Sequence, residues 1–71
     1  MRIKRDKLSQ KILELVSRAD EPLETIEIIE AIKGSTRTMI LYRLYKLRGE
    51  SSIRGKQVGS GKGTWIWWLN D

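Results

Sequence analysis

The sequence has no cysteine, no histidine and no phenylalanine, and only one proline, Pro22, in its 71 residues. Without cysteine there is neither a disulfide to staple the chain nor a thiol nucleophile. Without histidine there is neither an imidazole base nor the commonest zinc ligand. Catalysis would rest on carboxylates, lysines or hydroxyls alone, so neither an enzyme nor a cofactor is expected. No apolar run reaches the length of a signal segment or a membrane span, which predicts a cytoplasmic protein with no membrane partner; no small-molecule substrate is expected of so small a chain either. A chain this short buries only about 60% of the surface that its unfolded form exposes, so it has no room for a cleft between domains. One domain covering residues 1–71 is expected.

What the chain does have is charge, unevenly placed. Fourteen Lys and Arg stand against nine Asp and Glu, a formal net charge of +5. Residues 1–11 carry Arg2, Lys4, Arg5, Lys7 and Lys11 against Asp6, a net of +4. Residues 12–32 carry only Arg18 against six carboxylates, a net of −5, and residues 33–71 return to a net of +6. Such segregation predicts that the N-terminal arm, residues 1–6, and the C-terminal half face a polyanion while the middle faces water. Hydrophobic residues make up 39% of the chain, enough for a compact core and too many for a disordered tail.

The apolar spacing predicts three helices. Leu8, Ile12, Leu15, Val16 and Ala19 fall on one face of a helix over 7–19, with Asp6 placed to cap it. Pro22 ends that helix by forcing Glu21 out of the helical region, and Leu23 becomes a short extended anchor. A second helix over 25–33 follows from Ile26, Ile28, Ile29 and Ile32, capped by Thr25 and closed by Gly34. A third, over 36–48, starts at Ser35 or Thr36 and is closed by Gly49. At about 100° per residue, Ile40, Leu44 and Leu47 share its inner face while Thr38, Tyr42 and Lys46 lie opposite.

Beyond Gly49 the helical period disappears. Ile53–Val58 and Thr64–Leu69 read as strands of a hairpin over 53–69 around Gly59-Ser60-Gly61-Lys62-Gly63. Alternation puts Trp65, Trp67 and Leu69 on one side of the second strand, and Ile66 and Trp68 on the other, leaving at least one tryptophan partly exposed.

Two helices joined by a short glycine-containing turn carry the helix-turn-helix pattern. With the first helix and the basic glycine-rich hairpin, the chain resembles the winged helix-turn-helix domain of small prokaryotic, archaeal and viral DNA-binding regulators. The likeness rests on Pro22-Leu23-Glu24-Thr25 leading into Ile26–Ile32, on Gly34-Ser35-Thr36, on the Ile40, Leu44, Leu47 triplet, and on Ile53 and Trp65–Leu69 bounding the wing. It implies an α+β fold of three helices with a C-terminal hairpin wing, acting as a transcriptional regulator on double-stranded DNA at the nucleoid. The third helix would then enter the major groove, with Thr36, Arg37, Thr38 and Tyr42 near base edges, and Arg37 able to fork onto guanine. Arg43 and Lys46 are expected on phosphates, as are Arg54, Lys56, Ser60 and Lys62 of the wing and Arg2, Lys4 and Arg5 of the arm. Homodimerisation would have to use helix one or the flank of helix three.

Several features carry a plainer reading. Gly59-Ser60-Gly61-Lys62-Gly63-Thr64 looks like a nucleotide-binding phosphate loop, but position 56 is Lys where that motif needs Gly, and a strand rather than a helix follows. The three tryptophans are expected to fill the core rather than stack on bases. Glu24, Glu27 and Glu30 are expected to form a solvated helix face. Tyr45 and Leu41 fit equally well against helix one or against a second copy. Exposure of Leu41, Tyr45 and Trp68 together would favour the alternative function, a winged-helix module that binds protein rather than DNA.

Overall fold

The computed structural model describes residues 6–59 and 63–70; the arm residues Arg2, Lys4 and Arg5, together with Ser60 and Lys62, lie outside the described residues. The elements run α1 (Lys7–Arg18), β1 (Leu23–Glu24), α2 (Thr25–Ala31), α3 (Arg37–Gly49), β2 (Ile53–Val58) and β3 (Thr64–Leu69). The fold is α+β, with three helices and a three-stranded antiparallel sheet in the order β1-β3-β2.

Asp6 caps α1 as the sequence predicts, its Oδ1 accepting the Ser9 N–H at 2.9 Å. The helix stops at Arg18, with Ala19 already extended as its C-cap. Leu8, Ile12 and Val16 are buried on its inner stripe. The anchor at Leu23 is a true strand, pairing Leu23 with Trp67 and Glu24 with Ile66, so the predicted hairpin gains a third strand.

The second helix is two residues shorter than predicted and is capped differently. Glu24, not Thr25, is the N-cap, in a capping box in which Glu27 Oε1 accepts the Glu24 N–H at 2.7 Å. The Thr25 hydroxyl serves the tertiary fold instead: it accepts the Trp67 indole N–H at 2.8 Å and lies 3.4 Å from the Trp65 carbonyl, to which it donates. At the other end Ile32 takes extended backbone, which carries its side chain into the core, before Gly34 turns the chain at φ 85°. Only Ile28 and Ile32 of the isoleucine series are buried, and Ile26 is exposed.

Thr36 Oγ1 caps α3, accepting the Met39 N–H at 3.1 Å, and Ile40, Leu44 and Leu47 are buried as predicted. Gly49 does not close this helix but is its last residue. The reversal comes at Ser51, whose φ is 66°, with the Ser51 N–H bonded to Arg48 O and the Ser52 N–H to Leu47 O, both at 3.0 Å. This six-to-one and five-to-two pair is the Schellman arrangement, with serine at the position glycine usually takes.

In the sheet Ile53 pairs with Leu69, Gly55 with Trp67 and Gln57 with Trp65; these residues face inward, while Arg54 opposite Trp68 and Lys56 opposite Ile66 face outward. The Trp67 ring lies directly over Gly55, where an added Cβ would come within 2.6 Å of the ring. Trp67 is fully buried and completes the core formed by the three helices and Ile53.

Candidate nucleic-acid interface

The outward side of α3 carries what the helical arithmetic places there. Thr36, Arg37, Thr38, Tyr42 and Lys46 are all exposed. The side chains of Arg37 and Lys46 have no hydrogen bond or ion pair among the described residues. The same side is also apolar: Tyr42 is 60% exposed, Tyr45 50% and Met39 46%, and Ile26 at the start of α2 is 46% exposed. Apolar side chains therefore surround α3 almost completely, an unusual pattern for a helix with one face in water.

Arg43 does not join this surface. About 60° round from Ile40 at the α-helical step, it flanks α1, and its Nε lies 2.6 Å from Asp6 Oδ2. The contact is a charge pair without hydrogen-bond alignment. The Arg43 guanidinium also lies 5.2 Å from the centre of the Tyr42 ring. Asp6 is held below the ordinary carboxylate range, first by hydrogen bonds from the Ser9 hydroxyl and backbone N–H and then by the Arg43 charge. Arg43, expected on a phosphate, instead ties α3 to the start of α1.

Hairpin and helix meet at the N-terminal end of α3. Arg37, Leu41 and Tyr45 form one wall of a groove of about 300 Å³, with Gly63, Thr64 and Trp65 opposite and Glu24, Thr25 and Ile26 at its end. The strand enters this groove through Gly63, which holds φ at 46°. Behind it Trp65 stacks on Trp67 with ring centres 5.4 Å apart, and Tyr45 meets both rings edge-on at 6.4 and 5.9 Å. Glu24 is the one carboxylate in the groove, and neither it nor Arg37 is in an ion pair among the described residues.

Arg54 and Lys56 lie elsewhere. Both project from the outer face of the sheet, away from α3, because they alternate with the inward-facing Ile53 and Gly55. The Arg54 Nε donates to Asn70 Oδ1 at 2.8 Å. Lys56 is exposed near Asp20 and Glu21 without pairing with either. Of the described candidate residues only Arg37 lines the groove; Thr36, Thr38, Tyr42 and Lys46 lie exposed along α3, Arg43 faces Asp6, and Arg54 and Lys56 lie on the far side of the sheet.

Arg48 was missed by the sequence reading. Its guanidinium lies 5.3 Å from the centre of the Trp65 ring. The signal was present: Arg37, Leu41, Tyr45 and Arg48 follow the i, i+4, i+8, i+11 spacing of a single stripe. No local pattern marks Asn70, whose role depends on the chain returning to Ser51.

Among the described residues no group of three or more metal-ligating side chains converges, and no helix is long and apolar enough to cross a membrane. Comparison with known proteins finds no matching family model, no similar curated protein and no similar solved structure.

Proposed function

We propose that the chain is a winged helix-turn-helix protein that binds duplex DNA. The order of its elements and the β1-β3-β2 sheet support this architecture. The observation that carries the functional reading is the groove in which Arg37 at the start of α3 faces Gly63 and Thr64 at the end of the wing. A helix N-terminal half and a hairpin tip meeting on one side are what a duplex needs to be gripped by groove and backbone together. In this reading Thr38 and Tyr42 meet base edges, Arg37 reads guanine or holds the backbone, and Lys46 holds a phosphate. The protein is then a small transcriptional regulator of the cytoplasmic nucleoid.

The test is salt dependence. Each neutralised phosphate contributes about 0.9 to the slope of log affinity against log salt. Arg37→Ala and Lys46→Ala should each reduce the slope by about one unit if both contact phosphate, and Arg37→Ala should also relax sequence preference if it reads a base. A slope near zero for the unaltered protein refutes the proposal.

One observation favours a second reading. Exposed Ile26, Met39, Tyr42 and Tyr45 fit a protein partner, including a second copy of the chain. Under that reading Arg37→Ala with Lys46→Ala leaves duplex retention unchanged, while Tyr42→Ala with Met39→Ala abolishes association with the partner.

A further inference from the structure

The outward side of α3 combines two properties. It is cationic, with Arg37 and Lys46 exposed and no carboxylate anywhere in the helix sequence. It is also apolar, with Met39 46% and Tyr42 60% exposed, and a phosphate backbone gives no reason for that. At the α-helical step, Thr38, Met39 and Tyr42 fall within about 100° of one another, so they form a single patch near the start of the helix. From Thr38 to Tyr42 the axis rises about 6 Å, close to two base steps of about 3.4 Å each. The Tyr42 ring is braced in this position: the Arg43 guanidinium lies 5.2 Å from its centre, and Arg43 is itself paired with Asp6.

Each base shows a different edge in the major groove, and each edge suits a different side chain. Adenine suits the paired donor and acceptor of Asn or Gln, cytosine the acceptors of Asp or Glu, guanine the donors of Arg or Lys, and the thymine methyl group an apolar side chain. The sequence of α3 holds no Asn, Gln, Asp or Glu, and Arg43 is taken by Asp6. We infer that Thr38, Met39 and Tyr42 read thymine through its methyl group, so that the preferred duplex is defined by where its thymines lie. This inference rests on the duplex reading and adds to it the base that is recognised. It also accounts for the exposed apolar side chains, since a methyl group packed on them takes both surfaces out of water without needing a hydrogen bond.

The experiment selects short duplexes from a randomised pool on the full chain. The selected duplex is then made again with deoxyuridine in place of thymidine, which keeps every hydrogen-bonding group and removes only the methyl. Both duplexes are titrated over a range of salt against the unaltered protein, Tyr42→Phe, Tyr42→Ala and Met39→Ala, with far-UV circular dichroism confirming each fold. Both replaced side chains are exposed, and Met39→Ala carries the comparison if Tyr42→Ala does not fold. The expected result is that deoxyuridine weakens binding by about three- to fourfold for each methyl contacted. The salt slope stays the same, because a methyl group carries no charge. Tyr42→Phe, which keeps the apolar ring, retains the preference for thymine, and Tyr42→Ala, Met39→Ala or both reduce it. The inference is overturned if the two duplexes bind equally, if both alanine variants keep the full preference, or if Tyr42→Phe loses it; a salt-dependent affinity in those cases leaves the duplex reading standing. A chain that selects no duplex overturns both, and leaves Met39 and Tyr42 to a protein partner.

Discussion

Replacing Thr25 by valine keeps the side-chain shape and removes the single oxygen that connects the start of α2 to β3. That oxygen accepts the indole N–H of fully buried Trp67 at 2.8 Å and lies 3.4 Å from the Trp65 carbonyl. Among the described residues Trp67 has no other partner for its N–H, so the variant leaves a donor unsatisfied at the edge of the core. Such a group costs about 1–3 kcal/mol, and because Thr25 is half-buried the middle of the range, about 2 kcal/mol, is expected. For a domain this small, that lowers the melting temperature by roughly 8–16 °C. Urea unfolding followed by far-UV circular dichroism should show a lower midpoint with an unchanged slope. In a double-mutant cycle with Trp67→Phe, which removes the donor, the two changes should couple by about 1 kcal/mol or more. A loss below about 0.5 kcal/mol, or a coupling near zero, would refute the role given to this hydroxyl.

Four further outcomes are expected. Ser51→Gly should raise stability by about 1 kcal/mol, because serine bears the steric cost of the left-handed region and glycine does not; an unchanged urea midpoint would contradict this. Gly55→Ala should destabilise by about 1–3 kcal/mol, since its Cβ would meet the Trp67 ring at 2.6 Å, and thermal unfolding measures the loss. Asp6 has a lowered pKa, so its contribution is fully present above the ordinary value of 3.8 and is lost as the pH falls through the lowered value. Asp6→Asn should remove that part of the acid-unfolding curve, and an unchanged curve would count against it. Arg43→Ala should lower the urea midpoint and leave the salt slope of duplex binding unaltered, because Arg43 faces Asp6 rather than a ligand.

Much of the fold was legible wherever one local rule acted without competition. Asp6 and Thr36 cap as their side chains predict, the Ile40, Leu44, Leu47 stripe is buried, and both long strands have the predicted limits. The departures arise where distant contacts override the local rule. Thr25 is a good cap by type, but an indole N–H far along the chain takes its oxygen, and Glu24 caps in its place. Gly49 looked like the end of α3, yet the return of the chain through Ser52 and Asn70 sets the turn two residues later. The site was legible in its types of residue and less so in their grouping. Thr38, Tyr42 and Lys46 emerge as the helical period requires, whereas Arg43 is captured by a carboxylate on another helix. Strand alternation sends Arg54 and Lys56 to the far face, a consequence of period two that overall charge does not reveal.

The strand order also bears on edge-to-edge pairing of strands between copies of the chain. Thr64–Leu69, with three tryptophans, an isoleucine and a leucine and no charge, is the segment most apt to recruit an identical strand into a fibril. It lies in the middle, covered by β2 along its length and by β1 at Ile66 and Trp67. The outer edge belongs to β2, where Arg54 and Lys56 repel a second β2 brought alongside. A substitution that frees β2 from β3 would therefore do more than unfold a hairpin: it would uncover the stickiest six residues of the molecule.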